Sequence, residues 1–330
     1  MPRLSEDDLI ATLFAPLAGP GGLGLLDDVA VLSPPPGMEL VLTKDALVAG
    51  VHFFADDPPD AIARKALRVN LSDLAAKGAE PAGYLLALAL PPDWTNDWLA
   101  AFARGLGDDG AAFRFPLIGG DTVKTPGPLT ISVTALGFSP EGDMVPRTGV
   151  MPGDRIYVSG TIGDAALGLA LRLATSEDAD WTAALPPEAR DFLRARYLEP
   201  QPRLPLRKAL RAYANGGMDI SDGFVGDLTK MLRASECAAD IDITKLPLSP
   251  AARVAFHVAP RLLATIATGG DDYEIIATIP EGQCAPFEAA ARIAGVAVTQ
   301  VGVARAGQGA VFRDAEGRPL DFGKGSFSHF

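Results

Sequence analysis

Ser139-Pro140-Glu141-Gly142-Asp143-Met144-Val145-Pro146-Arg147-Thr148-Gly149-Val150-Met151-Pro152-Gly153 divides the chain. Proline and glycine at this density interrupt both helix and strand ladders, so the stretch reads as a domain junction. The expected domains are residues 1–145 and 146–330. Before the junction, apolar spacing predicts a helix over 5–17, strands over 29–32 and 39–43, and a helix over 59–78. A strand over 84–90, a helix over 94–113, a strand ending at Ile118 and an alternating run over 129–138 follow. After it, strands are predicted at 155–159, 273–278 and 297–304, and helices at 164–174, 187–197, 203–214 and 224–235. Two α/β (α+β) domains of similar size fit this order better than one doubly wound sheet.

The chain has 330 residues, 48% of them hydrophobic, and a formal net charge of −12. The length suits two cores, and the acidity argues against a nucleic-acid partner. No apolar run reaches the roughly 20 residues of a membrane span, and Met1-Pro2-Arg3-Leu4-Ser5-Glu6 shows no signal-peptide pattern, so no membrane association is expected. Cys237 and Cys284 cannot make a disulfide framework or a thiolate metal site. A cytoplasmic location is the expectation.

Several glycine patterns are decoys. Gly19-Pro20-Gly21-Gly22-Leu23-Gly24 and Gly105-Leu106-Gly107-Asp108-Asp109-Gly110 both fit G-x-G-x-x-G, but neither has the strand–turn–helix setting of a dinucleotide fingerprint. Gly323-Lys324-Gly325-Ser326 lacks P-loop spacing. The acids are more telling. Asp27-Asp28 precede a predicted strand and Asp45 follows one. Asp73 lies in Asn70-Leu71-Ser72-Asp73, and Asp121 in Leu117-Ile118-Gly119-Gly120-Asp121-Thr122. Asp219 and Asp222 frame Asp219-Ile220-Ser221-Asp222-Gly223, and Asp271-Asp272 follow Gly269-Gly270. Acids beside Gly, Ser or Thr at the ends of apolar runs can share a rim, and magnesium takes a few carboxylates together with water and phosphate oxygens. Any one of them can equally be turn or cap chemistry. Asp7-Asp8, Asp56-Asp57 and Asp108-Asp109 read as solvated surface. His52 lacks the partners of a zinc site, and Arg147 has a fork suited to phosphate.

In this order the segments resemble the thiamine-monophosphate kinases of the AIR-synthetase-like ATP-binding superfamily. The pieces carrying the resemblance include Val48-Ala49-Gly50-Val51-His52-Phe53, Asn70-Leu71-Ser72-Asp73-Leu74, Ile118-Gly119-Gly120-Asp121-Thr122, Arg147-Thr148-Gly149, Ser159-Gly160-Thr161-Ile162-Gly163-Asp164, Asp219-Ile220-Ser221-Asp222-Gly223 and Gly269-Gly270-Asp271-Asp272-Tyr273-Glu274. The resemblance implies a two-domain fold whose N-terminal domains pair in a homodimer, with ATP near the interface and a C-terminal α/β domain. It implies direct in-line transfer of the γ-phosphoryl group of ATP to thiamine monophosphate, giving thiamine diphosphate, with several magnesium ions. Metal binding falls on Asp28, Thr43, Asp45, Asp73, Asp121, Asp219 and Asp222, with Asp45, Asp73, Asp121 and Asp222 catalytic. ATP contacts fall on Gly120, Asp121, Arg147 and Ser221, and substrate contacts on His52, Asp271 and Phe327.

Two positions depart from the family pattern. Leu26 stands where Gly is frequent, and Lys44 where Thr or Ser is common, so Lys44 is expected to replace part of one metal's charge. The alternatives are another AIR-synthetase-like enzyme, of the aminoimidazole ribonucleotide synthetase type, or a non-catalytic magnesium–nucleotide binder. The first is expected to carry Ser-Ser-Gly near Ser159, where Ser159-Gly160-Thr161 stands instead.

Overall fold

The computed structural model describes residues 3–323 and 325–326. By density of internal contacts it forms two units, one reaching Leu74 and resuming over Ala79–Asp143, the other taking Ala75–Gly78 and the chain from Met144.

In the first unit, β1 (Met38–Val48), β2 (Glu80–Leu90), β3 (Leu117–Lys124) and β4 (Thr130–Pro140) form a sheet in the order β1-β4-β2-β3. β3 runs parallel to β2, and the other neighbours are antiparallel. Along β4, Ile131, Val133 and Ala135 are fully buried while their neighbours are not, the period-two mark of a strand with one face on a core. That face is turned towards α1 (Pro59–Ala76), whose Ala66, Leu67, Leu71 and Leu74 are fully buried. α2 (Asn96–Phe113) packs on α1 so closely that a Cβ on Gly105 would lie 2.4 Å from the carbonyl oxygen of Asp60. Gly105–Gly110 are thus helical, as their place in the sequence suggests.

Three local expectations change. The predicted helix over 5–17 is a turn of α-helix over Glu6–Leu9, a π-helical turn over Ile10–Phe14 and a 3-10 turn over Ala15–Leu17. Pro16 has no N–H to continue the ladder. Residues 29–32 are not a strand, and Val29 and Val31 are exposed. An apolar run becomes a strand only where another edge accepts it. Conversely, the strand predicted over 39–43 continues to Val48, so Asp45 lies within it rather than beyond it.

In the second unit, β5 (Arg155–Ser159), β6 (Gly216–Ile220), β7 (Cys237–Asp242), β8 (Glu274–Ile279), β9 (Val298–Ala306), β10 (Gly309–Arg313) and β11 (Pro319–Leu320) form a mixed sheet ordered β11-β10-β7-β9-β5-β8-β6. The helices that concern its site are α3 (Asp164–Leu173), α4 (Pro187–Leu198), α5 (Phe224–Ala234) and α6 (Pro250–Val258). β5, β6 and β8 are almost wholly buried, and Ile156, Val158, Ile220, Leu228 and Ile276 belong to one continuous core. No helix among the described residues is long and apolar enough to cross a membrane.

Candidate active site

Two groups of polar side chains occupy opposite faces of the first unit's sheet. On the helix face, Thr43 Oγ1 donates to Asp73 Oδ2 at 2.5 Å, joining β1 to α1. The backbone N–H of Asp45 donates to Asn70 Oδ1 at 3.1 Å, and Asn70 Nδ2 donates to the carbonyl of Ala66 at 3.0 Å. Thr43 and Asp45 share this face because side chains alternate along a strand. Asn70, fully buried on α1, therefore fixes the backbone between two proposed ligands. A hydrogen bond to a charged group contributes about 1.5–3 kcal/mol, and the Thr43 oxygen keeps lone pairs for a cation.

The other face lines a cleft of about 880 Å³ that brings together Asp27, Asp28, Lys44, Gly120 and Asp121. Lys44 is exposed there with Leu40 and Leu42 of the same strand. It is thus on the opposite face from its neighbours Thr43 and Asp45, and closer in kind to the Asp28–Asp121 group. Gly120 is required: a Cβ there would lie 2.0 Å from the carbonyl oxygen of Leu86. Asp28 lies on the irregular stretch after the Gly-rich turn, and Asp27 Oδ1 accepts from the N–H of Val29 at 3.3 Å.

The strand register separates the two groups. Asp45 pairs with Val133, Val133 with Leu86, and Leu86 with Gly120. Three inter-strand steps of about 4.8 Å put β1 and β3 roughly 14 Å apart at this row. His52 sits in the turn after β1, where its Nδ1 accepts from the N–H of Val48 at 3.0 Å. Lys65, buried on α1, donates to the His52 carbonyl at 3.0 Å and holds that turn.

In the second unit, β6 ends in Ile220-Ser221-Asp222-Gly223 and α5 begins at once. Gly223 has φ +118°, and a Cβ would lie 2.4 Å from the carbonyl oxygen of Thr268, so the turn demands glycine. Asp227, in the first turn of α5, receives the N–H of Ser221 at 3.0 Å and of Asp222 at 2.8 Å on one oxygen. Its other oxygen receives Lys230 Nζ at 2.9 Å, and Lys230 also bonds Asp222. Burial pushes the Asp227 carboxyl up against the opposing pull of Lys230 and the backbone N–H groups. The loop before β8 lies alongside: Asp271 N–H donates to the Ser221 carbonyl at 2.9 Å, and Tyr273 N–H to the Ile220 carbonyl at 2.8 Å. Asp219, Ser221, Asp222 and Asp271 are thereby brought together. Arg147 is exposed, and its carbonyl accepts from Ser235 Oγ at 3.2 Å.

Asp271 and Tyr273 have φ of 71° and 51°. Such left-handed backbone costs a non-glycine residue on the order of 1–3 kcal/mol unless its surroundings fix it. Here Asp272 and Glu274, both fully buried, do so. Asp272 accepts from the N–H of Gly163 at 2.7 Å and of Ala165 at 3.3 Å. Glu274 receives Ser159 Oγ at 2.7 Å, Arg196 Nη2 at 3.0 Å and Arg203 Nε at 2.6 Å. Arg196 also donates to the Asp272 carbonyl at 3.2 Å. Asp164, at the start of α3, accepts from Ser249 Oγ at 2.5 Å. Burial drives Asp272 well above the usual carboxylate range and raises Asp164.

The sequence alone marks no role for Asn70, Lys65, Asp227, Lys230 or the Arg196–Arg203–Glu274 cluster. Only Asp227 and Lys230 carry a local signal, an acid three residues before a base near a helix start. Two acids that the sequence presents as solvated, Asp57 and Asp109, are buried. Asp109 is buried and receives Arg68 through Nε at 2.6 Å and Nη2 at 2.9 Å. Asp57 is buried and accepts from the N–H of Phe54 at 2.9 Å. Phe327 lies outside the described residues. Among the described residues no three His, Cys, Asp or Glu side chains form a ready-made metal cluster. The donors that do meet are oxygens, which suits a hard cation completing its shell with water and phosphate.

The sequence profile of the AIR synthase related protein N-terminal domain matches residues 26–139, and that of the C-terminal domain matches 151–314. The thiamine-monophosphate kinase of Caulobacter vibrioides is 46% identical over 310 residues, spanning 92% of this chain and 85% of the relative. Among solved structures, the thiamine-monophosphate kinase of Stenotrophomonas maltophilia K279a superposes with a TM-score of 0.80 at 38% identity, over 90% of this chain and 91% of that one. AaThiL complexed with AMPPCP and TMP gives a TM-score of 0.78 at 30% identity, over 100% of this chain and 99% of that one. This chain belongs to the AIR synthase related family and, within it, to the thiamine-monophosphate kinases.

Proposed function

We propose that this chain transfers the γ-phosphoryl group of ATP to thiamine monophosphate, giving thiamine diphosphate and ADP. The observation that carries the reading is the 46% identity to a thiamine-monophosphate kinase across both domains. A terminal phosphate oxygen of the acceptor forms the new bond to the γ-phosphorus as the bond to the β–γ bridging oxygen breaks and ADP leaves. A phosphate monoester with a second pKa of about 6 is mostly ionised at neutral pH, so no general base is needed. The obstacle is repulsion between two anions, and alignment.

Magnesium, when bound, would supply the positive charge between the phosphates. The residues proposed to hold it are Asp28, Thr43, Asp45, Asp73 and Asp121 in the first unit and Asp219 and Asp222 in the second. Asp45, Asp73, Asp121 and Asp222 are the carboxylates assigned to the reacting phosphates. Gly120, Asp121, Arg147 and Ser221 are assigned to the nucleotide, and His52 and Asp271 to thiamine monophosphate, with cytoplasm as the compartment.

A homodimer is part of this reading. Within one chain Asp45 and Asp121 stand at opposite sheet edges, roughly 14 Å apart, and would not serve the same ion. A second copy that sets its β3 edge beside β1 removes that distance. The half-exposed Leu40, Leu42, Leu85 and Val123 on the same sheet supply an apolar surface for pairing.

The test is incubation with γ-labelled ATP, magnesium and thiamine monophosphate, followed by separation of thiamine phosphates. Label in thiamine diphosphate is the expected result. Label released only as inorganic phosphate, or ATP consumed only with an aminoimidazole precursor, would refute the assignment.

A further inference from the structure

Lys230 holds two carboxylates at once, and their surroundings differ. The Asp227 side chain is 1% exposed and that of Asp222 is 37% exposed. Asp227 sits three residues before Lys230 on the same helix and already receives the Ser221 and Asp222 N–H groups on its other oxygen. Taking the ammonium from Asp227 would leave a buried carboxylate without its cation, which is costly. Taking it from Asp222, beside solvent, costs little. The Lys230–Asp227 contact is therefore the permanent one, and the Lys230–Asp222 contact the exchangeable one.

We propose that Lys230 is a tethered cation that holds Asp222 aimed outward and competes with a divalent ion for it, so that it sets the metal affinity of the Ser221–Gly223 turn. The inference rests on Asp222 being a metal ligand, as the preceding reading has it. When an ion takes Asp222, Lys230 remains on Asp227, and Asp227 still holds the backbone of Ser221 and Asp222. The exchange moves one ammonium–carboxylate contact and leaves the turn in place. Lys230 is a positioning residue in this account; it touches the ligand, not the reacting atoms.

Manganese, whose free form is read directly by electron paramagnetic resonance, is titrated into the full-length chain with a non-hydrolysable ATP analogue. Lys230→Gln is expected to bind the ion at the affected site about three- to fivefold more tightly, the scale of a partly exposed ion pair. Lys230→Arg, which keeps the pair, stays near wild type, and Asp222→Asn weakens or loses that site. Unchanged or weaker binding in Lys230→Gln, with Asp222→Asn impaired, overturns the inference alone. Unchanged binding in Asp222→Asn overturns the ligand assignment and the inference with it. If Lys230→Gln melts early, Lys230→Met, which keeps the stem and lacks the charge, is read by the same criterion.

Discussion

Asp45 and Asp121 stand at opposite edges and on opposite faces of one four-stranded sheet, separated by β4 and β2. A ligand set that needs both draws them from two chains. Mixing inactive Asp45→Asn and Asp121→Asn chains should then restore activity. In a two-fold dimer each mixed pair has one doubly altered site and one intact site. Random mixing is expected to recover about a quarter of wild-type activity. Activity in the mixture no higher than in either variant alone means that each chain carries its own complete site.

Glu274 bears on the substrate without being assigned to it. Through Ser159, Arg196 and Arg203 it anchors a loop whose Asp271 and Tyr273 are left-handed. Glu274→Gln keeps the shape and removes the charge that gathers the two arginines. The KM for thiamine monophosphate should rise about tenfold, within the penalty of small misplacements in a site. The KM for ATP should change far less. Steady-state kinetics with each substrate varied in turn separates this from general loosening, which raises both.

Arg68 and Asp109 join α1 to α2 through two parallel N–H···O bonds. The two side chains are 12% and 3% exposed, so solvent does little to replace the pair. Asp109→Ala should cost about 3 kcal/mol, the lower end for breaking a buried pair from one side. Urea denaturation followed by circular dichroism measures it, and a loss below about 1 kcal/mol would return Asp109 to the class of surface acids.

Asp272 sets a pH dependence. Its folded-state pKa is raised by burial, so the folded chain keeps this proton after the unfolded chain has lost it. Below about 3.9, where both states are protonated, the group is neutral to stability. As pH rises through that value the unfolded state is favoured, and stability falls until the folded carboxyl also ionises. Asp164 and Asp227 act in the same direction. Asp272→Asn can still accept from Gly163, so it should flatten the decline between pH 4 and neutrality. Denaturation midpoints across that range would show it, and an unchanged slope would assign the dependence to the other acids.

What the sequence made legible was local. The α-helix through Asn70 and Asp73 and the helix after Ser221-Asp222-Gly223 both follow from short-range rules about apolar period and glycine. What it hid depends on partners distant along the chain. Val29–Leu32 has the composition of a strand and no edge to join. Asp109 resembles any surface acid until Arg68, 41 positions earlier, is folded against it. Lys44 and Asp45 are adjacent in sequence, yet alternation along β1 sends them to opposite faces, and Lys44 lines the cleft with Asp28 and Asp121.

The outer edge of β1 pairs with no strand among the described residues. It presents main chain over residues 39–44, while the N–H groups of Met38, Asp45 and Val48 are already bonded to Pro35, Asn70 and His52. Such an edge makes the protein addressable by means unrelated to nucleotide chemistry. A short extended peptide would compete there with the second copy for the same backbone bonds, its alternate side chains meeting the surface around Leu40 and Leu42. A nucleotide mimic would meet the phosphate chemistry common to every ATP-using enzyme. A strand mimic would meet the side chains of β1 instead, and selectivity in an inhibitor could be sought in the pleat.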